Sequence, residues 1–262
     1  MNNQPKCWIC GRVADSREHV IKKADLVRAY GKGSFSSESG PAHVKGGKVK
    51  GLQGADSTRV KYQASLCQDC NGAFTQPFDL AYDRFVNWAL SNEEAVLRCR
   101  FIDFQDVYGD EFEGSQCNLF KYFVKAFGCR LVDANQAVPS DLVSLLEKER
   151  FSTALRLSFA VSEDILLMPN EDRDGFIGKG DLLRWKADPD VNGGTGYSFN
   201  EHVSWLFVHY WYGIAVEPRT GSEWIANARV VYLGSFATLT PEERQEFVEK
   251  ARAKSTGAPD VK

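Results

Sequence analysis

Along the chain, the spacing of apolar positions changes character twice. Between residues 76 and about 91, Phe78, Tyr82, Phe85, Val86 and Ala89 recur at helical spacing, which predicts an amphipathic helix. A strand is expected over 95–104. The segment from Leu119 to Leu131 has an apolar face with Lys121, Lys125 and Arg130 around it, and reads as a second helix. Pro139-Ser140-Asp141 opens another, running to about Arg150, with proline at a helix start. From 153 to 235 the signal is β: ALRLSFAVSEDILLM, YSFNEHVSWLFVHYWYGIAV and EWIANARVVYLGSF are rich in Val, Ile and aromatics and show alternation. Thr240-Pro241-Glu242-Glu243 begins a last helix, with Thr240 as N-cap. The tail STGAPDVK reads as frayed, and no internal repeat is found. Residues 76–262 are therefore expected to form an α+β domain with an antiparallel sheet.

Within that domain few positions suggest chemistry. Asn170 to Asp181 partly matches a calcium loop, but the flanks are strand-like and Asp stands where Glu belongs, so a polar turn is expected. His202 and His209 fall on one predicted strand, on opposite faces, and read as structural. The stripe Trp205, Phe207, His209 and Trp211 reads as core. The role expected of 76–262 is left open between targeting, sensing and oligomerisation, through a homodimer or a protein partner.

Composition excludes several classes. With 262 residues, 43% hydrophobic and 26% charged, the chain is not collagen-like, coiled-coil or wholly disordered. There is no apolar run of about 18 residues and no basic segment followed by an apolar one at the start. No membrane association and a cytoplasmic location are therefore expected. Charge is unevenly placed. Residues 1–75 carry 12 Lys+Arg against 6 Asp+Glu, a net +6, so the rest must carry −9 to give the total of −3. A basic first part suggests a polyanionic partner.

Cysteine spacing makes that first part distinctive. Cys7 and Cys10 form one Cys-x-x-Cys, and Cys67 and Cys70 form a second. Two such knuckles can supply four thiolates to Zn²⁺ in a tetrahedron, with no open position, so the expected zinc is structural. With 56 residues between Cys10 and Cys67, it would tie the chain start to a distant segment, making metal part of folding. Cys99, Cys117 and Cys129 lie in apolar contexts and read as buried free thiols.

Three further features lie inside or beside this frame: Ser16-Arg17-Glu18-His19-Val20-Ile21 after the first knuckle, Asn71 directly after Cys70, and a Gly-, Ser- and Lys-rich stretch over 31–58. Together, CWIC…SREHVI…LCQDCN resembles the HNH endonucleases, the ββα-metal nucleases, in their four-cysteine zinc version. The resemblance covers about residues 5–75. It implies an N-terminal zinc-bound ββα-metal, treble-clef-like module over 1–75 that hydrolyses phosphodiester bonds in nucleic acid, with DNA the expected partner, using one divalent metal. Phage, mobile elements or bacterial defence would be the setting. By position, Glu18 and Asn71 would hold Mg²⁺ or Mn²⁺ through oxygen atoms, and His19 would be the general base. Family members often orient that base with a backbone carbonyl before the second knuckle, here Tyr62 or Gln63. The proline common after the His-containing segment is missing; Ile21-Lys22-Lys23 stands there. Lys22, Lys23, Lys45, Lys48 and Lys50 are the candidate phosphate contacts. Other readings remain. Asn71 is also a favoured helix N-cap, and the four cysteines and basic loop would equally suit a non-catalytic, zinc-stabilised module that binds nucleic acid or protein.

Overall fold

The computed structural model describes residues 4–35, 40–45, 48–147, 153–187, 189–190, 192–213, 224 and 228–255. It is a mixed α+β structure with a mixed sheet and a four-cysteine cluster near the N-terminus.

The first 75 residues hold little regular structure. Helix α1 spans Lys23–Tyr30, and strands β1 (Ala42–Lys45) and β2 (Lys48–Gly51) pair as a short antiparallel hairpin inside the Gly- and Lys-rich stretch. Otherwise, isolated bridges organise the chain. Lys6 pairs with Val13 across the first knuckle, Ser16 with Leu66, and His19 with Lys61. The last two pairs are out of step: three positions on one side face five on the other, so two extra residues bulge out between Lys61 and Leu66.

Helices follow. They are α2 (Gln76–Ser91), with proline in its first turn, and α3 (Glu93–Cys99). The strand expected over 95–104 is mostly this helix. Glu93 and Glu94 suit a helix N-terminus, and Arg100 in the left-handed region (φ 58°) ends it, leaving only β3 (Phe101–Asp103) extended. Then come α4 (Phe104–Tyr108), α5 (Phe112–Asp133) and α6 (Ser140–Leu145). The sheet strands are β4 (Leu155–Ser162), β5 (Ile177–Lys179), β6 (Leu183–Lys186), β7 (Thr195–Val203), β8 (Leu206–Tyr212) and β9 (Val230–Phe236). A short helix α7 (Asn170–Asp174) precedes β5, and α8 (Pro241–Ser255) ends the fold. At its start Thr240 and Glu243 cap each other: Glu243 N–H donates to Thr240 Oγ1 at 3.2 Å and Thr240 N–H to Glu243 Oε2 at 2.8 Å.

Two expectations about the sheet are corrected. Its order is β3-β9-β4-β8-β7-β5, with β6 also on β7, and β9 runs parallel to β4. A hairpin would have made β9 antiparallel to its neighbour in sequence; the long connection after β8 carries it to the far side of β4 instead. His202 and His209 do not share a strand. They sit on β7 and β8, which reverse at Ser204-Trp205 with Ser204 at φ 54°. No Gly, Asn or Pro marks that turn, and Trp205 is fully buried, so the run reads as continuous. The parts of the β signal over 214–223 and 225–227 lie outside the described residues.

Helix α5 is central, about 33 Å long at 1.5 Å per residue. On one side Phe123 and Phe127 pack on Phe159, Phe199 and Tyr210 of the sheet. On another, Tyr122 stacks on Tyr82 of α2 at 3.9 Å. Each fully buried aromatic of this kind contributes roughly 1.5–3 kcal/mol. The third side meets the first knuckle, where Trp8 lies over Gly128, and Cys129 joins the buried group of Cys7, Tyr62, Leu66, Cys67 and Cys70. Burial on every side explains why the polar Lys121 and Lys125 are themselves buried.

Candidate metal centre and the segment beside it

The four knuckle cysteines come together. The first knuckle turns tightly: Gly11 N–H donates to Cys7 carbonyl at 2.8 Å and Cys7 N–H to Arg12 carbonyl at 2.7 Å. Gly11 takes φ 75°, a conformation that glycine adopts without steric cost. The second knuckle lies where the segment paired with Ser16 turns into helix, with Asn71 N–H donating to Cys67 carbonyl at 2.9 Å. All four sulfurs lie within 4.8 Å of one another, and Cys10 and Cys67 are 3.6 Å apart. A tetrahedral zinc site with bonds of about 2.3 Å needs sulfur separations of about 3.8 Å, so the cluster can hold a metal such as zinc.

Arg12 was not visible as part of this centre from the sequence. Its Nε donates to Cys10 Sγ and its Nη2 to Cys67 Sγ, each at 3.4 Å, while Nη1 pairs with Asp69 at 2.7 Å. The guanidinium pulls the Cys10 thiol down to about 6, whereas burial pushes Cys7 and Cys70 up. Four thiolates this close are stable together only around a cation.

Glu18, His19 and Asn71 are held beside the cluster in different company. Asn71 lies in the first turn after Cys70; its Nδ2 donates to Ser16 Oγ at 2.9 Å, and its Oδ1 is buried without a partner. It does not serve as a side-chain cap, and Asp69 takes the N-cap position of the turn. Glu18 is 15% exposed, and its Oε2 lies 3.2 Å from the Nζ of Lys125 in α5. His19 Nε2 is buried and unpartnered. Burial holds the imidazole below the usual histidine value; Glu18 and Asp56 act to raise it, Lys61 and Lys23 to lower it. Among the described residues no hydrogen bond joins Glu18, His19 and Asn71 to one another. The Tyr62 carbonyl accepts from Arg17 Nε at 2.7 Å, and Gln63 turns away to α5, its N–H to Asp133 Oδ1 and its amide to the Val132 carbonyl.

Lys22 is not a surface lysine. Only 13% of its side chain is exposed, and its ammonium lies 2.9 Å from Asp79 and 3.7 Å from Asp83. Lys23 is exposed and pairs with Asp56 at 2.6 Å. Lys50 is exposed on β2, across from His43. Lys45 and Lys48 face each other at the hairpin end, and their side chains lie outside the described residues.

Lys125 and Asp79 have no signal in the sequence, because Lys125 meets Glu18, and Asp79 meets Lys125, only in three dimensions. Lys125 Nζ lies 3.1 and 3.0 Å from the two oxygens of Asp79, and its side chain is 1% exposed. Burial alone would lower this lysine, but Glu18 and Asp79 more than offset that, so it titrates above the usual range and is charged. Among the described residues no helix is long and apolar enough to cross a membrane. Compared with known proteins, the chain matches no family model, no curated protein and no solved structure.

Proposed function

We propose that the chain is a metal-dependent HNH-type endonuclease that hydrolyses phosphodiester bonds in DNA. One observation carries this reading. The cysteine frame holds the segment of Glu18 and His19 against the turn of Asn71, through Asn71 Nδ2 and Ser16 Oγ, and leaves His19 Nε2 and Asn71 Oδ1 buried without partners. A site that takes a ligand is one reason for two such atoms to lie buried without partners in neighbouring segments.

The donors suit the group the reading requires. Asn71 Oδ1 and the Glu18 carboxylate are hard oxygen atoms, and they would hold Mg²⁺ or Mn²⁺. Bound there, such an ion supplies charge stabilisation at the phosphate under attack. His19, kept neutral by burial, takes the proton from the attacking water. Exposed cations at Lys23 and Lys50 suit phosphate contacts outside the site.

Plasmid cleavage with Mg²⁺ or Mn²⁺ tests this, comparing wild type with His19→Ala at equal zinc content. Loss of cutting in the variant is expected, and equal activity removes His19 from the mechanism. The alternative, a zinc-stabilised module that binds nucleic acid or protein without cutting, is favoured by a different observation: Glu18 is already neutralised by Lys125. Binding of DNA without cleavage in both proteins would select it.

A further inference from the structure

Lys125 stands where chemistry would least expect a lysine. Its ammonium is buried, contributed by the central helix α5, and has contacts from two carboxylates: Asp79 through both oxygens and Glu18 through one. The three N–H bonds of an ammonium match those three contacts. Around it, Lys22 adds a second ammonium at Asp79 and Asp83. Three carboxylates therefore share two ammonium groups, and Asp83 Oδ1 has no hydrogen-bond partner.

Resting on the proposed metal reading of Glu18, we propose that Lys125 is a positioning residue acting as a built-in counter-cation, which competes with the divalent ion for Glu18 and so lets α5 set how readily the site takes up metal. Two ammonium groups already share Asp79, but a doubly charged ion on Glu18 would repel the ammonium 3.2 Å from the same carboxylate about twice as strongly as a second ammonium would. The arrangement provides an alternative seat. Lys125 can give up its single contact with Glu18 and keep its two contacts with Asp79, while Lys22, which shares Asp79, also has Asp83 beside it. A lysine on a flexible four-carbon stem suits such a shift better than the rigid fork of an arginine. Asp79 is thus the residue that makes release of Glu18 feasible, and removing it should hold the ammonium on Glu18.

The two side chains therefore have opposite expected effects, which a merely structural ion pair would not give. Mn²⁺ binding to the zinc-replete full chain, followed by the electron paramagnetic resonance of free Mn²⁺, reads this without any cleavage. Lys125→Met is expected to tighten Mn²⁺ binding about tenfold or more, Asp79→Asn to weaken it, and Glu18→Gln to abolish it. Zinc content and near-ultraviolet dichroism report folding. Should Lys125→Met not fold, the charge-balanced pair Lys125→Met with Asp79→Asn is measured instead, again expected to bind more tightly than wild type. Binding unchanged or weakened in the folded lysine variant, or no Mn²⁺ bound by any protein, overturns the proposal. If the ordering holds but no protein cuts DNA, the counter-cation role stands and the nuclease reading falls.

Discussion

Gly128 lies directly beneath Trp8: a methyl group on its Cα would stand 2.5 Å from Cζ2 of the indole. The first of the two residues between the cysteines of the first knuckle therefore rests on bare backbone of α5. In a helix interior, alanine is ordinarily better than glycine by up to about 1 kcal/mol. Here the clash should reverse that sign. Gly128→Ala is expected to destabilise the chain by about 1–3 kcal/mol. Denaturant unfolding checks the direction, and adding Trp8→Leu should recover part of the loss if the two residues act on each other.

Zinc retention follows from the four sulfurs. Cys67→Ser should lose the bound zinc, and wild type with a strong chelator should unfold at lower temperature, because the cluster joins segments more than fifty residues apart. Elemental analysis of the purified proteins gives the stoichiometry; the same zinc content in both would remove the cluster from the account.

Arg12 should tune that centre without forming it. Outer groups that hydrogen-bond metal ligands typically change affinity 10- to 100-fold. Arg12→Ala is expected to release zinc to a chelator about tenfold faster, with Asp69→Asn in the same direction but smaller, since Asp69 acts only by holding the guanidinium. Equal release rates would show that both thiolate contacts are incidental.

His202 should give the fold an acid limb. Its ring lies among Phe176, Phe207 and Phe236, its Nδ1 is buried without a partner, and burial pushes its pKa down to about 4. The folded state resists protonation, so the contribution is fully present above about pH 6.5 and is lost as pH falls towards 4. Its size is about 3 kcal/mol, since each tenfold change in proton affinity is worth about 1.4 kcal/mol. His202→Leu should flatten this part of the stability profile; unfolding midpoints at pH 7.5 and 4.5 that move in parallel for both proteins would assign the limb elsewhere.

What could be read from the residue order was local. The knuckles Cys7-x-x-Cys10 and Cys67-x-x-Cys70 signal a cluster because spacing alone brings two sulfurs to one side. Phe78, Tyr82 and Phe85 signal α2 because their period is that of the helix. Thr240 and Glu243 signal a cap for the same reason. Lys125 carries no such mark. It lies 107 positions from Glu18, and the same spacing that places it on α5 also suits an exposed lysine. The Ser204-Trp205 reversal was hidden because a buried tryptophan sits in the turn, and the side of β4 that β9 would join is a property of the long connection rather than of the strand itself.

That placement of β9 has a kinetic consequence. Among the described residues β3 pairs only with β9, and β9 also lines the edge of β4, so Ile102 meets Val231 and Phe159 meets Leu233 only once a strand ending at Phe236 has arrived. A nascent chain would wait, with its aromatic interior open, until Phe236 had left the ribosome, and such distant pairings form slowly.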